Sequence, residues 1–327
     1  MSLDTRTLGY TGEQLTGVGL GSWAIGGGDW RYGWGRQDDR DSIAAIRRAL
    51  DVGVNWIDTA RVYGLGHSEK IVGEAIASRR DEVFLATKCG RHWKEDGALY
   101  GSLKAADVRM ECESSLKRLK TDVIDLYQIH WPDPPGEIEE GWTEIAKLVE
   151  EGKIRYAGVS NFTVERLRAV QAIHPVASLQ PPYSMLRRGV EDALLPYCAE
   201  NHIGVIVYSP MACGLLTGKF SKVRLAGLPA NDWRHGNVEF RAPAFEANLD
   251  LVDGLRPIAE RNDLTLSQLA IAWVLRRPEV TAAIVGARRP EQIEETARAG
   301  NAALSEDDVR AIENLLTRRQ ETIAAAA

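Results

Sequence analysis

Short apolar runs recur along this chain, and each is followed by a polar or conformationally special residue. They cover residues 54–57, 83–86, 123–129, 154–159, 176–179, 204–207 and 282–285. At or beside their ends stand Asp58, Lys88, His130, Ser160, Gln180, Tyr208 and Gly286. Brief apolar stretches of this kind fit strands buried on both faces of a parallel sheet. Helical periodicity fills the intervals. Residues 41–50 place Ile43, Ile46 and Leu50 on one face, with Gly53 following as a stop. Residues 164–173 and 191–200 also read as helices. Thr265-Leu-Ser-Gln268 and Ser305-Glu-Asp-Asp308 carry capping-box patterns, and Pro290 suits a first helical turn.

Strands alternating with helices imply a parallel sheet with helical crossovers. Val18-Gly19-Leu20 adds an eighth strand, enough to close an α/β (β/α)8 TIM barrel as a single domain over residues 1–327. A doubly wound open sheet is the competing architecture. Residues 1–15 are expected to form a short N-terminal hairpin across the barrel floor, turning at Thr11-Gly12. Residues 210–247, after the seventh strand, are rich in Gly, Pro and charge and lack periodicity. A loop of that length is usually functional or mobile. The tail from Ala324 to Ala327 is expected to fray.

Composition narrows the function. The 327 residues are 44% hydrophobic and 26% charged, with net charge −6. That balance gives no reason to expect nucleic acid or an anionic membrane as partner. No run approaches the roughly 18 apolar residues of a membrane helix. Cys89, Cys112, Cys198 and Cys213 are far apart and form no CxxC pair, so neither a disulfide framework nor a zinc cluster is expected. The first residues lack the apolar segment of a signal peptide, and a cytoplasmic setting is expected. Six dispersed histidines, with no HxH or HExxH, argue against a metal site and against metal-dependent hydrolysis. Gly19-Leu-Gly21-Ser-Trp-Ala24 resembles a dinucleotide fingerprint, but Gly26-Gly27-Gly28-Asp29 follows where a helix should begin. Gly214-Leu-Leu-Thr-Gly218-Lys219-Phe220 resembles a P-loop with the spacing one short and Phe220 in place of Ser or Thr.

Four titratable groups converge on consecutive strand ends: Asp58 and Tyr63 in Asp58-Thr-Ala-Arg-Val-Tyr63-Gly64, Lys88 in Ala86-Thr87-Lys88, and His130 in Gln128-Ile-His130-Trp131. Singly they could be a helix cap, a packed aromatic, a surface charge and a structural histidine. Together they form an acid–base device. An ammonium beside a phenol lowers its pKa, and a carboxylate keeps a buried ammonium charged. Asp58 and Lys88 would thus tune Tyr63 as a general acid, while His130 would orient a carbonyl oxygen or share its proton. Such a site still needs a hydride donor.

Through these motifs the chain resembles the aldo-keto reductases over essentially its whole length, from Gly19-Leu-Gly-Ser-Trp23 to Gly286-Ala-Arg-Arg289. It is most similar to their bacterial general-stress branch, through Trp23-Ala-Ile-Gly-Gly27, Gly66-His-Ser-Glu69 and Gly214-Leu-Leu-Thr-Gly-Lys219; Gly158-Val-Ser-Asn-Phe162 matches a further hallmark. The resemblance implies reversible reduction of aldehydes or ketones to alcohols with NADPH, bound across the barrel mouth, and NADH as a less favoured cofactor. It implies Ser160, Asn161 and Gln180 at the nicotinamide carboxamide, Tyr208 stacked on the ring, and Ser22, Trp23 and Asp58 nearby. Ser209, Pro210, Met211, Gly214, Leu215, Lys219 and Arg234 would hold the pyrophosphate. Gly286, Ala287, Arg288, Gln292 and Glu295 would hold the adenosine end, with Arg288 and Arg289 placed for a 2′-phosphate. Gln292 and Thr296 depart from the arginine and asparagine common in the family. Trp23, Trp131 and Tyr63 would line the substrate pocket, with Trp30, Tyr32 and Trp34 as a further wall. Arg61 replaces a proline common in the branch and would present a basic group at the entrance. The alternative implied role is a cofactor-binding redox sensor or regulatory subunit.

Overall fold

The computed structural model describes residues 2–28, 30–230 and 232–326. Eight parallel strands close into a barrel. They are β1 (Val18–Gly21), β2 (Trp56–Asp58), β3 (Phe84–Cys89), β4 (Ile124–Ile129), β5 (Ile154–Ser160), β6 (Ser178–Gln180), β7 (Gly204–Tyr208) and β8 (Ala282–Gly286). Every neighbour is the next strand in this series, and β8 pairs with β1. The open-sheet alternative is excluded. All eight expected strands are present, because apolar runs flanked by turn residues have no other way to bury both faces.

Crossover helices form the outer layer. Helix α1 (Asp39–Asp51) starts two residues earlier than periodicity indicates, because the Asp38 carboxylate caps the Arg40 N–H. Helices α2 (His67–Ile76), α3 (Ala105–Leu119), α4 (Ile138–Glu150) and α5 (Val164–Gln171) follow β2 to β5. Helix α6 covers only Leu194–Glu200, since the Glu191 carboxylate instead receives the Tyr183 hydroxyl and Arg188. Helix α7 (Ala244–Arg261) ends the long loop at Pro243, four residues before its expected limit. Helix α8 (Leu266–Leu275) has the complete Thr265–Gln268 capping box, and Pro290 opens α9 (Pro290–Ala297). Helix α10 (Glu306–Ala325) is anchored against α7 by buried Ile312 and Leu316 and continues through Ala324 and Ala325, which are exposed but helical where a frayed tail was expected. Ala327, like Asp29 of the glycine run, lies outside the described residues.

The N-terminal hairpin pairs Thr5–Thr7 with Gln14–Thr16. It closes the barrel floor: Leu8 and Leu15 pack with Trp56, Phe84, Leu126, Ala177, Ile206 and Ala282. Two glycines make this possible. A Cβ on Gly9 would lie 2.5 Å from the Gly204 nitrogen, and one on Gly19 would lie 2.0 Å from the Trp56 ring. Above this apolar plug the interior turns polar. A second hairpin, Arg91–Trp93 with Leu99–Gly101, follows β3 and carries no signal in the sequence pattern.

Candidate active site

At the C-terminal end of the barrel, the side chains of Asp58, Lys88 and His130 meet Tyr63 from the loop after β2. The Lys88 ammonium donates to Asp58 Oδ1 at 2.6 Å, to the Thr59 carbonyl at 2.8 Å and to the Tyr63 hydroxyl at 3.4 Å. Tyr63 and His130 pack edge to face with centroids 5.7 Å apart. Asp58 and Lys88 are buried beneath the phenol. The other Asp58 oxygen, Oδ2, accepts from Gln180 at 2.9 Å and from Gln128 at 3.5 Å.

Burial decides the titration. The Tyr63 phenol is raised well above its usual range, first by desolvation and then by the Asp58 charge. This corrects the expected lowering: Asp58 neutralises Lys88, so the phenol faces a paired ammonium rather than a free one. Lys88 itself is lowered by desolvation, against the pull of Asp58. His130 falls well below its usual value through burial and the positive charges of Lys88 and Arg91. The site therefore holds a protonated phenol and a neutral imidazole, which can donate a hydrogen bond but has no second proton to share.

A cavity of about 1750 Å³ runs from this group along the ends of the other strands. Asn161 has φ +63° and sits at the turn after β5. Its amide donates to the His130 carbonyl at 3.1 Å and to Ser160 at 3.0 Å, and its oxygen accepts from the Tyr208 hydroxyl at 2.9 Å. Ser160 donates in turn to the Gln180 carbonyl at 2.8 Å. Ser160, Asn161, Gln180, Tyr208, Ser209, Pro210, Met211, Gly214, Lys219 and Arg234 line the cavity, as do Gly286, Arg288, Gln292 and Glu295. Three expected positions do not. The Ser22 hydroxyl turns away to Ser68, Leu215 packs with Phe220 and Phe240, and Ala287 is buried in the main core.

Other side chains have different partners from those expected. Arg288 donates to Gln37 at 2.6 Å, to the Trp34 carbonyl at 3.2 Å and to the Arg36 carbonyl, fastening the loop after β1. Arg289 is exposed and has no hydrogen-bond or ion-pair partner among the described residues. Arg234 is held by the Asp232 carboxylate and lies over Trp34. Arg61 does not face the entrance; it is buried against Glu111. Trp23 stacks on Tyr63 and Trp233, and Trp30 tilts against Tyr63. Trp131 stands 40% exposed at the rim. Two contributors escaped the sequence reading. Gln128 is two residues before His130 on one strand face, so alternation could have found it. Trp233 lies in the aperiodic loop and leaves no local signal. Among the described residues no three of His, Cys, Asp and Glu cluster as a metal-ligand set.

A long cavity, a buried acid–base group and a ring of amides define an oxidoreductase built on a (β/α)8 barrel. The chain belongs to the Aldo/keto reductase family, whose model matches residues 18–317. It is 39% identical over 317 residues to aldo-keto reductase YhdN of Bacillus subtilis, covering 96% of this chain and 94% of that protein. It is 36% identical over 315 residues to the NADH-specific methylglyoxal reductase of Escherichia coli, covering 92% and 94% respectively. Among solved structures, the glycerol dehydrogenase AKR11B4 from Gluconobacter oxydans is similar with a TM-score of 0.88 and 38% identity, covering 97% of this chain and 96% of that one.

Proposed function

We propose that this chain, acting as one domain in the cytoplasm, reversibly reduces aldehydes or ketones to alcohols with NADPH in preference to NADH. The observation that carries this reading is the phenol of Tyr63, kept protonated by burial, beside the Lys88–Asp58 pair and open to a cavity shared with His130. The cavity fits a nicotinamide dinucleotide. Its volume exceeds the roughly 300–1,000 Å³ of ordinary ligand pockets. Amides of Asn161 and Gln180 stand at one end, and Lys219 and Arg289, whose side chains have no partner among the described residues, lie along it. Arg289 immediately precedes the first turn of α9, where its guanidinium suits a phosphate. That is the basis for NADPH, because the NADH-specific relative leaves the choice to the residues of this chain.

Bound there, the nicotinamide would exchange a hydride with the carbonyl carbon. His130, neutral, would donate a hydrogen bond to the carbonyl oxygen and orient it. Tyr63 would pass its proton to that oxygen as negative charge develops, and the Lys88 ammonium would stabilise the phenolate left behind. Trp23, Trp30 and Trp131 would flank an apolar part of the substrate and help exclude water. The test is turnover of a carbonyl and alcohol panel with each cofactor, followed by cofactor absorbance. Reduction with NADPH favoured supports the reading. Cofactor binding with no turnover of any member would overturn it in favour of a redox sensor.

A further inference from the structure

Arg61 lies two residues before Tyr63, in the turn that carries the phenol, yet it points away from the cavity. Its side chain is 12% exposed, and its carboxylate partner Glu111 on α3 is fully buried. Arg61 Nη1 donates to Glu111 Oε1 at 2.9 Å and to the Arg91 carbonyl at 3.1 Å. Its guanidinium lies over Trp93 at 4.1 Å from the ring centre. Glu111 Oε2 accepts the Gly90 N–H at 2.6 Å, and His92 Nε2 lies 3.3 Å from Oε1. Arg91, His92 and Trp93 form one strand of the hairpin after β3, and Arg91 and Leu99 of that hairpin line the cavity. One guanidinium therefore joins three pieces: the turn that presents the proton donor, the helix after β3, and the wall on the substrate side. At the start of the same turn the Thr59 carbonyl is pinned by Lys88. The turn is thus held at two points after β2, Thr59 and Arg61.

We propose that Arg61 is a positioning residue for Tyr63: through Glu111 and the Arg91–Trp93 strand it fixes the turn bearing the phenol against the hairpin wall, and so sets the approach of the phenol to a carbonyl. The proposal rests on the reductase reading. A largely buried pair of this kind is a weak source of stability, since hydrophobic replacements of similar volume are often as stable. Holding a proton donor in line is worth more, because a displacement of about 1 Å can cost roughly 100-fold in rate. Groups that would shape a pH response are Arg61, His92, Asp107 and Glu69 around Glu111, and Asp58, Lys88 and His130 around Tyr63.

The experiment uses the full-length enzyme, NADPH and a good aldehyde from the panel. Arg61→Met keeps the stem on Trp93 but removes the charge and the donors. The expected result is a fall in kcat of about tenfold, with NADPH affinity, read by fluorescence titration, changed less than twofold. The alkaline limb of the kcat profile should also move to lower pH, because a loosened phenol regains water and loses part of the desolvation that raises it. A merely structural arginine would lower thermal stability and leave that limb in place. Wild-type kcat and an unmoved limb in Arg61→Met would overturn the proposal. Should that variant fail to fold, Arg61→Gln, which retains an amide donor, takes the same measurement with the same two outcomes. Inactive wild-type enzyme would instead sink the reductase reading, so the two failures are distinguishable.

Discussion

The two halves of the barrel mouth are built on opposite principles. On the side of β2 to β4, Asp58 and Lys88 are withdrawn from water, His130 stands half-buried at the cavity wall, and each oxygen of Asp58 has a donor. On the side of β7 and β8, the loop after β7 twists through left-handed backbone at Ser209, Ala212 and Cys213, and Lys219 of that loop and Arg289 after β8 are exposed, their side chains without partners among the described residues. The difference follows from the tasks. A proton donor needs a dry and fixed environment, because water would reset its pKa and its direction. The cofactor proposed for the other side is a large anion that must enter and leave, and cations in reach of solvent would gain their partner on its binding. Strain in that loop is of the kind stored at ligand clamps.

The sharpest break of this contrast is Tyr63→Phe. The proton half should fail alone: kcat falls by about 10²–10⁴, while cofactor affinity stays within about twofold. Turnover and fluorescence titration separate the two, and a near-wild-type kcat would remove Tyr63 from the chemistry.

Lys88→Met attacks the dryness of the same half. It strands the Asp58 carboxylate without its charge partner, at a cost of about 3–5 kcal/mol. Denaturant unfolding should register that loss; a change under about 1 kcal/mol would mean that water reaches Asp58.

Acid titration of stability tests His130. Its folded pKa lies well below the ordinary 6.5, so the unfolded chain binds the extra proton first. Its contribution is complete above about pH 6.5 and is lost as pH falls toward the folded value, at up to about 1.4 kcal/mol per pH unit. His130→Asn should flatten that slope relative to wild type. Since His92 and His174 are also lowered, only the difference between the two proteins is diagnostic, and identical slopes would refute a buried neutral His130.

The smallest effect separates the two arginines of the open half. Arg289→Ala should weaken NADPH about tenfold while leaving NADH almost unchanged, as expected for one lost charged hydrogen bond. Arg288→Ala, which frees the loop from Trp34 to Gln37, should weaken both cofactors alike. A selective loss of NADPH in Arg288→Ala would reverse these assignments.

The eight strands were legible in the chain, and so was the placing of the candidate acid–base and amide residues at their ends, Gln128 apart, because strand periodicity and residue type are local properties. Asp58, Lys88, Ser160 and Gln180 sit at strand ends that can be counted without coordinates. What only the tertiary structure decided is how those groups titrate and whom they touch. Whether the phenol beside Lys88 titrates above or below its ordinary range depends on burial and on Asp58, which the residues flanking Tyr63 do not reveal. Arg288 and Arg289 are adjacent in the chain, yet one is spent on the loop after β1 and the other faces solvent. Arg61 reads as a loose basic group until α3 brings Glu111 beside it, fifty residues further along. Local patterning alone determined the strand order and where the candidate reactive groups stand along it. Pairing, burial and proton affinity waited for closure of the barrel, because they depend on distances between residues that the chain keeps far apart.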